Sequence, residues 1–348
     1  MRTNDTQDAA RNTGRPRGPL GRTPTAVIAA SAATLTGAAA LAAFALAAGP
    51  AGAATTSTAA ASSPAAAATA IPAGFPDGST TGMQAGTSLK NVPSQVKSGP
   101  GWTWVTAGGG YANVTGNGAN LSGLRIPGNV DVSGSNVTLN NDSITVSGGG
   151  GDTYGVDLRH TANVTIEHSS IQGTNITTGR LTTAIKDIYG DAAGTQVLAN
   201  NIQKTGSAVQ VFQGNVQGNY IHNFGMIPSD HVNGVTTNGD TQSLTIQNNT
   251  ILNKFGQTDA IGLFQDNGVV ANVTINDNLL AGGSYSLYGG EGSQGQSSNI
   301  KVTNNRFSTM YYPTGGADGP VAYFDATAPG NTWSGNTWSS TGKTIPEP

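Results

Sequence analysis

Between residues 230 and 291 the chain gathers side chains that can move protons or hold hydroxyl groups: Asp230, His231, Asn233, Asp259, Gln265, Asp266, Tyr285, Tyr288 and Glu291. Charge is scarce elsewhere, since charged residues make up only 10% of the chain. Cleaving a glycosidic bond takes two carboxyl groups roughly 5–10 Å apart, one protonated as acid and one ionised as base or nucleophile. Asp230, Asp259 and Asp266 are the candidates for such a pair, and crowding of like charges raises one pKa, as acid work requires. His231 is placed to hold or replace one member of the pair. Asn233, Gln265 and Glu291 offer hydrogen bonds to hydroxyls, and Tyr285 and Tyr288 offer flat faces to sugar rings. The same residues have a plain structural reading. Asp259 follows Thr258 and can cap a turn, Asp266-Asn267-Gly268 is a turn sequence, and Asp230 can cap the start of a strand.

A second chemistry is β-elimination from a uronic acid polymer, which needs a cation against the carboxylate and a base for the α-proton. Lys186 and Arg159 are the cations available. Asp157 and Asp187 adjoin them, so ion pairing between neighbouring strands accounts for the same residues. The acidic surface described below would repel a polyanion unless Ca²⁺ bridged the two.

The element that must position these residues is a repeat. LTIQNNTI, residues 244–251, recurs as VTLNNDSI ending at Ile144, VTIEHSSI at Ile171, TQVLANNI at Ile202 and GNVQGNYI at Ile221. VTINDNLL ending at Leu280, IKVTNNRF at Phe307 and NTWSGNTW at Trp338 complete the series, with steps of 27, 31, 19, 30, 29, 27 and 31 residues. Such a period marks a solenoid, in which each coil buries its apolar side only against its neighbours. Apolar residues two apart, such as Leu244 and Ile246, give strand periodicity. An Asn follows at 200, 219, 249, 278, 305 and 336, with Asp142 and Ser169 in the first two units. Asn tolerates a left-handed backbone, and amides stacked at one corner can bond one another as a ladder. The expected fold is all-β: a single-stranded, right-handed parallel β-helix.

Each coil carries another strand before the Asn unit: YGVDLRH (154–160), AIKDIYG (184–190), AVQVFQG (208–214), HVNGVTTN (231–238), DAIGLFQD (259–266), SYSLYGG (284–290) and VAYFDA (321–326). Stacked about 4.8 Å apart, these form one parallel sheet and bring residues distant in sequence side by side. On that geometry Asp230/His231, Asp259 and Asp266 are expected within roughly 5–10 Å of one another. The long connections 172–183 and 222–229 would wall a groove beside the sheet.

Residues 1–53 read as a secretion signal. Arg2, Arg11, Arg15, Arg17 and Arg22 precede an Ala-rich run, and Ala51-Gly52-Ala53 is a small-residue cleavage site. The alternative is a retained membrane anchor, opposed by the low hydrophobicity of the run. Residues 54–74 are an Ala/Ser/Thr/Pro-rich linker, and residues 75–348 form the β-helix domain. From Phe75 onward, 11 Lys and Arg face 17 Asp and Glu, a net charge of −6. An acidic mature chain argues against nucleic acid and anionic membranes as partners. The chain has no Cys, which removes disulfides and thiol catalysis. Trp102 and Trp104 are placed to cover the exposed first coil.

The repeats resemble the right-handed parallel β-helix superfamily that includes the pectate-lyase-like proteins, and within it secreted bacterial β-helix proteins. DHVNG (230–234), QTDAIGLFQDNG (257–268) and NLLAGGSYSLYGG (278–290) carry the likeness. Members act mostly on polysaccharides, as lyases, hydrolases or epimerases, and some are non-catalytic. Asp230-His231 is similar to a pair seen in pectate lyases, although Ile227-Pro228-Ser229 replaces the Trp-Ile before it. The adjacent Asp pair of polygalacturonases is missing. The resemblance implies a secreted, monomeric, polysaccharide-active protein without a cofactor, or with Ca²⁺ if a lyase. Asp230, His231, Asp259 and Asp266 are its candidate catalytic residues. Asn233, Gln265, Tyr285, Tyr288, Glu291 and Lys186 are its candidate substrate contacts. A non-catalytic glycan-binding or structural role is the alternative. It is favoured if each Asp serves its local backbone rather than a shared groove.

Overall fold

A computed structural model describes residues 70–348 except 149, 150 and 229. The segment read as a secretion signal and most of the linker lie outside the described residues.

Why the repeat folds as it does is visible in the register. The third residue of each unit enters one parallel sheet, and the last enters another. Leu139, Ile166, Val197, Val216, Ile246, Ile275 and Val302 align across successive strands of a 9-stranded sheet, here sheet C. Ile126, Ile144, Ile171, Ile202, Ile221, Ile251, Leu280 and Phe307 align in the 10-stranded sheet A. The strand preceding each unit joins the 11-stranded sheet B, whose inward column is Val130, Val156, Ile185, Val209, Val235, Ile261 and Leu287. All of these side chains are fully buried. Three columns of mostly β-branched residues thus meet along one axis, each coil packing only on its neighbours.

The Asn residues stand at the corner between sheets C and A, and those from Asn200 to Asn305 each join three coils. Asn219 donates through Nδ2 to Val197 O (2.8 Å) and to Asn249 Oδ1 (2.9 Å), and its backbone N–H also donates to Asn249 Oδ1 (2.9 Å). Asn249 repeats this with Val216 O and Asn278 Oδ1. The series from Asp142 to Asn336 is fully buried. The left-handed backbone, however, does not fall on the ladder residues. It falls on the residue before each: Asn141, His168, Ala199, Gly218, Asn248, Asp277, Asn304 and Gly335 all have φ between 46° and 69°. Turning the amide inward leaves the preceding residue to make the corner, which even His168 and Ala199 do.

Asp142 is the ladder's odd member. Its Oδ1 accepts from Leu124 N–H (2.8 Å), while Oδ2 is buried with no partner. In the later rungs an Nδ2 occupies that side and donates to a carbonyl of the preceding coil; by register the matching carbonyl is Leu121's. Desolvation pushes the Asp142 carboxyl up to about 7. Because the folded value exceeds the unfolded one, this group's contribution is fully present below about pH 4 and is lost as pH rises through about 7. Asp142→Asn is therefore expected to stabilise by about 2–4 kcal/mol at pH 8 and far less at pH 4. Denaturant titrations of both proteins across that range check it, and an equal effect at both pH values would contradict it.

Both ends are covered. Trp102–Val105 pairs antiparallel with Tyr111–Val114; Trp102 is buried and Trp104 packs against Gly128. At the other end the chain turns back, with Trp333 Nε1 donating to Ile345 O (3.0 Å). Residues 75–92 lie as a strap across sheet A. Phe75 sits under Arg306 of a late coil, Gly82 N–H bonds Ala199 O (2.9 Å), and Lys90 N–H bonds Gly123 O (2.9 Å) near the first coil.

Candidate functional site

Two columns of side chains line the outer face of sheet B. Register places Lys186, Gln210, Thr236, Gly262 and Tyr288 in one, and Thr183, Ser207, Asn233 and Asp259 in the other. A groove of about 530 Å³ lies over their central part. Its floor is amide and hydroxyl: Ser207, Gln210, Asn233 and Thr236. His231 and Thr258 border one side, where the connections before the strands emerge, and Asn238 and Asp266 border the other. Phe264 and Tyr288 close one end.

Most of the polar floor is held in place before any ligand arrives. Asn233 Nδ2 donates to Ser207 Oγ (3.1 Å) and to His231 O (3.2 Å), which leaves its Oδ1 buried without a partner. Lys186 Nζ donates to Gln210 Oε1 (3.0 Å) and stands 5.6 Å from the Tyr154 ring centre. Four rings continue the groove across later strands. Tyr288 is 5.4 Å from Phe264, 5.5 Å from Tyr285 edge-on, and 5.8 Å from Tyr323 in a near-parallel stack.

The three aspartates do not converge. Asp230 turns into its own loop, forming an ion pair with Arg180 and accepting Ile227 N–H (2.8 Å). Both partners of that pair are largely buried. Asp259 is fully buried and neither carboxyl oxygen meets hydrogen-bond geometry, although the nearby Gly234 N–H offsets a little of the cost of burial. A Cβ on Gly262 would lie 2.6 Å from Asp259 Oδ2, so the carboxyl occupies the hollow that this glycine leaves on the outer face. Burial raises its pKa well above the ordinary carboxylate value. Asp266 is exposed at the groove's far side. The four steps from Asp259 to Leu263 alone span about 13 Å of extended strand, and Asp266 lies beyond them. The separation of roughly 5–10 Å expected from stacking applies between neighbouring strands, whereas these two residues sit toward opposite ends of one.

Of the remaining predicted contacts, Gln265 is a structural pin. Its Nε2 bonds Gly290 O (2.8 Å) and Gly295 O (3.0 Å), and its Oε1 accepts Gln294 N–H (2.9 Å). Glu291 is exposed and lines a smaller recess of about 240 Å³ beside Tyr288. Arg159 pairs with Asp157 two residues before it (2.7 Å) and with Asp131 on the preceding strand (3.1 Å), whereas Lys186 bonds Gln210 and not Asp157 or Asp187. The pairing between strands expected of both cations is therefore met only by Arg159 and with a different partner. Asp187 accepts Gly190 and Ala192 N–H groups. Among the described residues no three His, Asp or Glu side chains converge as a metal site.

Sequence reasoning passed over Ser207, Gln210, Thr236, Phe264, Tyr323 and Arg180. The first three were available from aligning successive strands column by column, as the register now does. Tyr323 falls in the strand expected over 321–326, but that strand ends at Ala322 and the ring is placed by the turn after it, while Arg180 lies outside the strands and gave no such signal.

Fold and site together define a parallel β-solenoid with a polar, aromatic-flanked groove on one of its three sheets. No protein-family model matches the chain, and no curated protein or solved structure is found similar to it.

Proposed function

We propose that the groove on sheet B binds an extended glycan without cutting it. The observation that carries this reading is the floor itself: fixed amides and hydroxyls beside aromatic rings, with no carboxyl pair across them. Amides and hydroxyls read sugar hydroxyls, and rings stack on sugar faces. Asp230 serves its own loop, which favours binding over hydrolysis. The resemblance to pectate-lyase-like β-helix proteins supports a polysaccharide as the ligand class. Affinity electrophoresis against a panel of soluble polysaccharides tests it, with reducing ends and unsaturated products assayed on the same samples. Retardation without products is expected; product formation would overturn the binding-only reading.

Hydrolysis is the second reading, favoured by one observation. Asp259 is a carboxyl beside the groove whose pKa burial raises well above the ordinary value, the direction a general acid needs. Under that reading Asp259→Asn cuts turnover by about two orders of magnitude or more. Under the binding reading the same variant leaves retardation unchanged.

The basic leader, the Ala-rich run and the Ala51-Gly52-Ala53 site support export. Protein recovered from culture medium is expected to begin near Ala54 on N-terminal sequencing. Intact Met1 in the membrane fraction would show an anchor instead.

A further inference from the structure

We infer that the recess between Phe264, Tyr288 and Tyr323 is a subsite for an organic ammonium group, carried by the bound glycan as an amino sugar. The inference rests on the glycan-groove reading and adds a charge preference to it. The recess, about 240 Å³, adjoins the groove and shares Phe264, Asp266 and Tyr288 with it. Three of its walls are aromatic rings, and its charged wall residues are Asp266 and Glu291, both anionic and both exposed. No Lys or Arg lines it. Ring faces carry negative electrostatic potential and attract a cation that approaches them, and nearby carboxylates add to that attraction. A neutral sugar gains from the rings but has no use for the two carboxylates.

The rings are held open to solvent in a way that packing alone does not require. Tyr323 is 59% exposed and has a left-handed backbone, φ 57°, which is uncommon for a bulky side chain. Its carbonyl accepts Glu291 N–H (2.9 Å), so the aromatic and acidic walls are tied together. Its ring lies nearly parallel to Tyr288, at 14°. Gln265 pins the loop beneath Glu291 through Gly290, Gly295 and Gln294. The outcome is a preformed aromatic surface with two anionic edges, on whose ring faces a cation can rest.

The test compares β-1,4-linked glucosamine oligomers with their N-acetylated counterparts of equal length, at a pH where the amine is protonated, using calorimetry. Choline chloride, read by tyrosine fluorescence, probes the cation site alone. The expected result is tighter binding of the amine-bearing oligomer. Tyr323→Ala should weaken that binding about three- to thirty-fold and weaken the N-acetylated oligomer less, while Tyr323→Phe restores both. Asp266→Asn with Glu291→Gln should weaken the amine oligomer and remove the salt dependence of its binding. These positions are exposed, so the variants should keep the parent's melting midpoint, which is measured alongside. Equal affinity for both oligomers, with no choline response, overturns the ammonium site while leaving the groove reading intact. Choline binding that Tyr323→Ala abolishes, without binding of either oligomer, sustains the cation site and overturns the glycan groove.

Discussion

Asn249→Leu is expected to lower the stability of the solenoid by about 3–5 kcal/mol. The side chain is fully buried and works on both sides of its coil. Its Oδ1 accepts from Asn219 N–H and Nδ2 (2.9 Å each), and its Nδ2 donates to Val216 O (2.8 Å) and Asn278 Oδ1 (3.0 Å). Leucine matches the volume but removes hydrogen-bond partners from groups of both neighbouring coils in a dry interior, Asn219 N–H and Val216 O among them, each at about 1–3 kcal/mol. A shift in the urea midpoint at constant slope measures the loss. Because coils couple only to their neighbours, hydrogen exchange should loosen most in the strands nearest residue 249. A loss under about 1 kcal/mol would mean the ladder is dispensable and that apolar stacking alone holds the coils.

The second large effect concerns Asp259. With its folded pKa raised far above the unfolded value by burial, the protonated form is the one the fold favours. The associated stability is fully present below about pH 4 and is lost as pH climbs through the folded pKa. Asp259→Asn removes the titration, and its amide gains a candidate acceptor in Asn233 Oδ1, the buried unpaired atom on the register-matched residue of the preceding strand. Stabilisation at pH 8, shrinking toward pH 4, is the expected outcome. Thermal melts of the two proteins at paired pH values decide it. If the variant were less stable than the parent at pH 8, the carboxylate would have a favourable partner there and the account of its burial would fail.

The fold was legible in the sequence because the repeat unit is itself a structural corner. The apolar residues of LTIQNNTI are Leu244, Ile246 and Ile251, all essentially buried, and Asn249 lies between the two strands they form. Alternation settled which side chains face inward, and spacing settled that coils would stack. The corner's backbone was harder to place. Asn is the natural left-handed residue by type, yet that conformation sits one position before the ladder, at Asn248, and elsewhere falls on His168 and Ala199. The site was legible only as a neighbourhood. Stacking brings Asn233 beside Asp259, but sequence does not reveal that Gly262 opens a hollow for that carboxyl or that Arg180 draws Asp230 away. Arg180 lies 50 residues from its partner in a connection of its own, and no periodic pattern points to it. Gln265 shows the same limit in reverse, since its amide reads as a ligand contact until the backbone groups of residues 290–295 are seen to consume it.

The central claim is that ligand lies on the outer face of sheet B, and hydroxyl-radical footprinting with a retained polysaccharide tests it most directly. The tyrosines supply both reporter and control. Tyr288 and Tyr323 border the groove and its recess, whereas Tyr311, 38% exposed, stands near Tyr220 on sheet A. The account predicts that saturating polysaccharide protects Tyr288, Tyr323 and Phe264 from oxidation and leaves Tyr311 labelled at its free rate. Protection of Tyr311 with unchanged labelling at Tyr288 and Tyr323 would contradict it and move the binding surface off sheet B.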